Sequence, residues 1–146
     1  MSRWKLPPKA KVYEALGAVL DGRVRVTSDS SGEVTSSGVD KVYKVRWVLE
    51  TNQITSSDPA SRFQGYIGYP IIAVLLETKR LAFDPDLAAP LKGIPWKAIN
   101  DRFKRNYDLA VSEALKDSGD TAALVSMVEG LYTQLEALQL EKPERS

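Results

Sequence analysis

A chain of 146 residues, 43% hydrophobic and 27% charged, has the composition of one soluble globular domain spanning 1–146, not of a disordered, collagen-like or membrane-spanning chain. It carries 20 Lys/Arg against 19 Asp/Glu for a net charge of +1, and it contains no Cys and no His. Those two zeros exclude thiol and imidazole nucleophiles, imidazole general bases, disulfides and nearly all structural zinc sites.

Residues Met1 to Pro8 hold no apolar stretch that would serve as a signal-peptide core. The longest unbroken apolar run, Ile71 to Leu76, is six residues, against the roughly 20 that a spanning helix needs. A cytoplasmic protein with no membrane partner is the expectation.

Pro7 and Pro8 suit a helix start, and Val12, Leu16, Val19 and Leu20 then share one face of a 3.6-residue period that ends at Asp21-Gly22. From Arg23 to Thr27 apolar residues alternate with polar ones, as in a half-buried strand. Asp29 to Gly32 reads as a turn, and Glu33 to Ser37 as a weak strand with only Val34 to bury. Between Lys41 and Glu50, a run of strong β-formers sets Tyr43, Val45, Trp47 and Leu49 on the core face. Thr51-Asn52 then serves as a two-residue hairpin connection to Gln53, Ile54 and Thr55.

Ser56 to Pro59 makes a turn, followed by Arg62-Phe63-Gln64-Gly65-Tyr66-Ile67-Gly68-Tyr69, a stretch of three aromatics and two glycines. Pro70 opens a helix over Ile71 to Thr78 with so little polar surface that it must be buried. Asp84-Pro85-Asp86 starts a short helix running to Leu91. Trp96, Ile99, Phe103, Tyr107, Ala110 and Ala114 then form one stripe along a single long helix. Asp120 caps the last helix, where Leu124, Val128, Leu131, Leu135 and Leu138 repeat that spacing. The two long helices are expected to pair as an antiparallel hairpin, and residues 141–146 to form a solvated tail. The expected fold is α+β, with a small antiparallel sheet of three or four strands, a buried central helix over 71–78 and the C-terminal helical hairpin.

Placed along the chain, the charges separate: +3 over residues 1–50, −1 over 51–78, +4 over 79–105 and −5 over 106–146. Within the basic stretch, Ala89, Gly93 and Ile99 sit at offsets suited to a helix-turn-helix between residues 85 and 105. Its second helix would offer Lys97, Arg102, Lys104 and Arg105 to phosphates and Asn100 to a base. Pro90 and Arg102 fit that motif poorly, and a plain helix corner with a basic outer face satisfies the same spacing.

The second candidate is the loop 62–70. Arg62, Gln64, Gly65, Tyr66, Gly68 and Tyr69 combine close backbone approach with rings for stacking, as a small-ligand or anion pocket requires, or a core corner filled by aromatics. The loop matches neither a Walker motif nor a dinucleotide fingerprint. Carboxylate chemistry is the main acid–base route left without His, but Asp58, Glu77, Asp84, Asp86 and Asp101 are dispersed; Glu77, ending a buried helix, stands out among them. Nothing points to a metal or a cofactor. The balance leans away from an enzyme and toward a binding module, with nucleic acid as the first partner class, a small ligand on the 62–70 loop as the alternative, and another protein as the third.

Overall fold

The structure is a computed structural model and describes residues 2–104 and 106–143. It is α+β. The strands are β1 (Ser2–Arg3), β2 (Val24–Ser28), β3 (Ser31–Thr35), β4 (Val42–Val48), β5 (Gln53–Ser56) and β6 (Glu141–Lys142). The helices are α1 (Ala10–Leu20), α2 (Tyr69–Glu77), α3 (Pro85–Ala88), α4 (Trp96–Arg102), α5 (Tyr107–Leu115) and α6 (Ala122–Leu138).

Among the described residues the sheet has six strands in the order β1-β6-β5-β4-β3-β2, where the sequence pattern suggests three or four. It is mixed: every neighbouring pair is antiparallel except β5 and β6, which run parallel through Gln53 and Glu141. The extra strands are two residues each, too short for any alternation to be visible. They are held by backbone bonds from Trp4 N–H to the Leu140 carbonyl (3.1 Å) and from Glu141 N–H to that of Asn52 (2.9 Å), and by the Trp4 indole N–H to the Ile54 carbonyl (2.9 Å). Residues 141 and 142 are therefore part of the sheet and not of a solvated tail.

Strand β3, weak by sequence, lies second from one edge with Gly32 and Val34 buried between its neighbours. Along β4, Val45 and Trp47 face the core as the alternation requires. Leu49 does not: the chain leaves the strand after Val48 in a single 3₁₀ turn, and Leu49 is 60% exposed. Asn52 closes that turn in the left-handed region (φ 58°). Its side-chain amide donates to the carbonyls of Leu138 (2.7 Å) and Gln139 (3.0 Å) at the end of α6, and its Oδ1 accepts from Arg80 (3.1 Å).

Helix α2 is buried from Pro70 to Leu76, as its apolar surface demands, but it is not the only central helix. In α1 every residue from Ala10 to Ala18 is buried, including Lys11 and Glu14. Small side chains allow this: Ala15 and Ala18 are fully covered, and at Gly17 an added Cβ would lie 3.1 Å from the Trp96 Nε1 and 3.4 Å from the Leu91 carbonyl oxygen. Helix α2, the turn ending at Leu91, α5 and α6 all pack around it.

The long helix expected over 96–114 is broken into α4 and α5. Lys104 takes φ 51°, and Asn106 Oδ1 accepts from Leu109 N–H (3.3 Å) to cap a new helix. The apolar stripe nevertheless runs on across the break, which hides it from periodicity. Nor do the last two helices form a closely packed hairpin: α5 and α6 each pack on α1 more than on one another. The α6 stripe is as expected, with Leu124, Val128, Leu131 and Leu135 buried.

Asn52 thus combines a backbone conformation with three hydrogen bonds, and two substitutions separate these contributions. Asn52→Gly keeps the left-handed backbone and is expected to cost about 1–2 kcal/mol in urea unfolding. Asn52→Ala adds backbone strain and is expected to cost about 1 kcal/mol more; equal losses would show that the conformation carries no part of the effect.

Candidate functional site

A concavity of about 600 Å³ is built from four separated stretches of chain, at residues 11, 43, 58–69 and 107. Helix α1 contributes Lys11, β4 contributes Tyr43, the turn after β5 contributes Asp58 and Pro59, the segment 60–69 contributes Phe63, Gln64, Tyr66 and Tyr69, and α5 contributes its first residue, Tyr107.

The floor is electrostatic. Lys11 and Glu14 are three residues apart on a helix with no solvent-facing side between Ala10 and Ala18, so their charged ends turn toward each other, and Lys11 lines this cavity. Lys11 Nζ lies 3.1 Å from Glu14 Oε2 and 4.6 Å from the centre of the Tyr107 ring, a cation–π arrangement. The other Glu14 oxygen accepts from the Asn100 side-chain amide at 3.2 Å. Burial outweighs the opposing pull of Lys11, Asn100 and Arg23 and holds the Glu14 carboxyl above its ordinary range.

The walls are phenols. Tyr43 and Tyr69 meet edge to face, with ring centres 6.3 Å apart and planes at 89°. The hydroxyls of Tyr66 and Tyr107 lie 3.5 Å apart. Burial raises the Tyr43, Tyr66 and Tyr69 phenols above their usual value, so all three are neutral donors at physiological pH.

Asp58 is a structural corner of the same cavity. It is buried, and its carboxylate accepts from the Ser56 hydroxyl, the Ser61 hydroxyl (2.7 Å) and the Ser61 backbone N–H (3.1 Å). Ser61 Oγ in turn accepts from Gly68 N–H at 3.2 Å. Gly68 is required by this packing, because a Cβ there would land on the Asp58 carboxylate, within 2.7 Å of its carbon. Between these residues a single π-turn, Ala60–Gln64, ends at Gly65 with φ 72° and aims the following tyrosines back over the cavity. The carboxylate network and the glycines thus fix where Tyr66 and Tyr69 stand.

Of the loop residues singled out by sequence, Gln64, Tyr66 and Tyr69 line the cavity. Gly65 and Gly68 shape the backbone, while Arg62 is exposed and lies over the Phe63 ring at 5.5 Å. The residues of the basic helix are dispersed in role. Lys97 Nζ stands 4.0 Å from Asp40 and 3.9 Å from Asp101, and Arg102 stands 3.1 Å from Glu113. Asn100 turns inward to Glu14, Lys104 is exposed at the end of α4, and Arg105 lies outside the described residues. Gly93 does take the left-handed turn conformation (φ 77°), but the preceding helix is one turn long and continues as a 3₁₀ turn through Pro90. Glu77 is exposed at the end of α2, and the buried carboxylates are Glu14 and Asp58.

Sequence reading misses Lys11, Glu14, Tyr43 and Tyr107 as site residues. The available signal was the pair Lys11 and Glu14 bracketing Val12 and Tyr13 in a helix whose remaining positions are largely Ala, Gly, Val and Leu.

The buried pair has two measurable consequences. Lys11→Met and Glu14→Leu are each expected to cost about 3–5 kcal/mol in urea unfolding, and the double variant much less than their sum; additive losses would mean that the two charges are not coupled. Because the folded state holds the Glu14 proton more tightly than the unfolded chain, that contribution is fully present below about pH 4.5 and is lost as pH rises through the raised value. Unfolding between about pH 4 and about pH 7 should therefore show wild type losing stability relative to Glu14→Gln as pH increases. A difference independent of pH would overturn the raised value.

Among the described residues no group of three or more acidic side chains is placed to hold a metal, and no helix is long and apolar enough to cross a membrane. No curated protein matches the chain, and no solved structure matches it. Residues 4–141 match the family described as Uncharacterised conserved protein UCP014422, and the chain belongs to that family.

Proposed function

We propose that the protein binds a small planar organic anion in the tyrosine-lined cavity. The observation that carries this reading is a concavity of about 600 Å³ with aromatic walls and one buried ammonium, that of Lys11, on its floor. Its volume lies within the roughly 300–1,000 Å³ of small-molecule sites. Rings on several sides suit a planar body, and neutral phenols supply donors to its polar atoms.

The sign of the charge follows from Lys11. Aromatic walls attract cations, but here the place over the Tyr107 ring is already taken by Lys11 Nζ at 4.6 Å. A second cation would meet it as a like charge. An ammonium carries three donors, and Glu14 engages one side of it, so an anion can approach another. Asp58 competes little, because its oxygens already accept three hydrogen bonds from Ser56 and Ser61.

Nucleic acid along α4 is the competing reading. The pairing of Lys97 and Arg102 with acidic neighbours and the inward turn of Asn100 favour it less than the cavity. An NMR titration of the whole chain with benzoate, 2-naphthoate, benzyltrimethylammonium and a short duplex DNA decides between them. The two carboxylates are expected to shift residues 58–69, Lys11 and Tyr107, and Tyr66→Ala to weaken them about tenfold. Preference for the quaternary ammonium, or shifts confined to residues 96–104 with DNA and none with the carboxylates, would overturn the proposal.

A further inference from the structure

A smaller cavity of about 150 Å³ adjoins the first. Tyr43 and Tyr69 line both, so the first, an outer cleft, and the second, an inner chamber that also opens to solvent beside Lys97 and Asp101, meet at this edge-to-face pair. The chamber is bounded further by Glu14 and Arg23 and by Trp96 and Asn100 of α4.

These four residues share another property. Among the described residues, the buried side-chain nitrogen and oxygen atoms without a hydrogen bond are Glu14 Oε2, Arg23 Nε, Trp96 Nε1 and Asn100 Oδ1. All four belong to residues lining this one chamber. Glu14 Oε2 is answered by the Lys11 ammonium at 3.1 Å, and Arg23 Nε lies 3.7 Å from Asp21, too far for a hydrogen bond, so the atoms left without a partner are Arg23 Nε, Trp96 Nε1 and Asn100 Oδ1. Trp96 is 2% exposed, so bulk water does not satisfy it. Buried polar atoms left without partners each cost on the order of 1–3 kcal/mol, and a cluster of them around a void marks a place where a polar group or ordered water is held.

We propose that the inner chamber is the head-group subsite of the ligand cleft and that it takes a small uncharged group with both donors and acceptors, of which a primary carboxamide is the simplest. This rests on the reading of the outer cleft as a ligand site. The chamber's orphan atoms are one acceptor, on Asn100, and two donors, on Arg23 and Trp96. A carboxamide offers two N–H donors and a carbonyl with two lone pairs. Formal charge around the chamber balances, with Glu14 and Asp101 against Arg23 and Lys97, so a charged head group would gain one attraction and meet one repulsion. The ligand class that follows is a planar ring bearing an anionic group for Lys11 and a carboxamide for the chamber.

Benzoate, 3-carbamoylbenzoate and 4-carbamoylbenzoate test this by calorimetry and by NMR on the whole chain. At least one carbamoyl compound is expected to bind the wild-type protein about tenfold more tightly than benzoate. In the wild-type protein the same compound should shift the indole N–H resonance of Trp96, which benzoate leaves in place, a readout that does not depend on a variant folding. Benzoate binding with no carbamoyl gain and no Trp96 shift would overturn the head-group subsite alone and leave the outer cleft standing as a ligand site with water beside it. Failure of all three compounds to bind would overturn the outer reading and the inner one with it.

Discussion

Between Ala10 and Ala18 helix α1 has no face turned to solvent, yet it carries a lysine and a glutamate. An isolated charge in such a place would be removed from water at a cost of several kcal/mol, and the pair is tolerable only because each partner answers the other and both reach a cavity. Much of the architecture follows from that requirement. Tyr107 sits over the ammonium at the start of α5, Asn100 reaches the carboxylate from α4, and the break between those helices lets one turn present each residue to α1.

The sheet plays a supporting part. Its inner face, through Val34, Val45 and Trp47, seats α2, and α2 begins at Tyr69 with its N-terminal approach fixed by Asp58, Ser61 and Gly68. The tyrosines of the cavity are therefore tied to the packing of two buried helices and a strand rather than to a free loop. The charge blocks along the chain resolve in the same spirit: Arg102 of the basic stretch reaches Glu113 of the acidic one, while Lys97 faces Asp40 and Asp101. These pairs are solvent-exposed and contribute little to stability, but they place cations of α4 beside carboxylates.

Local patterning exposed α2, the α6 stripe, the core face of β4 through Trp47 and the left-handed turn at Gly93, because each is encoded by spacing or by one residue's backbone preference. It also drew attention to residues 62–70, of which Gln64, Tyr66 and Tyr69 line the cavity. Features set by distant partners were not legible. Strands β1 and β6 exist only because Trp4 and Glu141 find backbone partners far away in sequence. The stripe from Trp96 to Ala114 keeps its period across a break that Lys104 and Asn106 make, so the apolar pattern records the common surface and not the continuity of the helix. For Lys11 and Glu14 the local sign is only the apolar make-up of the rest of α1, since what encloses them comes from α2, α5 and α6, each distant in the chain.

The contact between Gly17 and the Trp96 indole has a consequence for how such a chain can diverge. A Cβ at residue 17 would sit 3.1 Å from the indole Nε1, so a side chain there has to push the Trp96 ring aside by a few tenths of an ångström, and a smaller residue at 96 opens space beside α1 that something else must fill. Trp96 also lines the inner chamber, so the repair of a packing defect at residue 17 would alter the chamber's lining at the same stroke. Packing and recognition are thereby linked, since the ring that must give way to a side chain at 17 is the ring that lines the chamber.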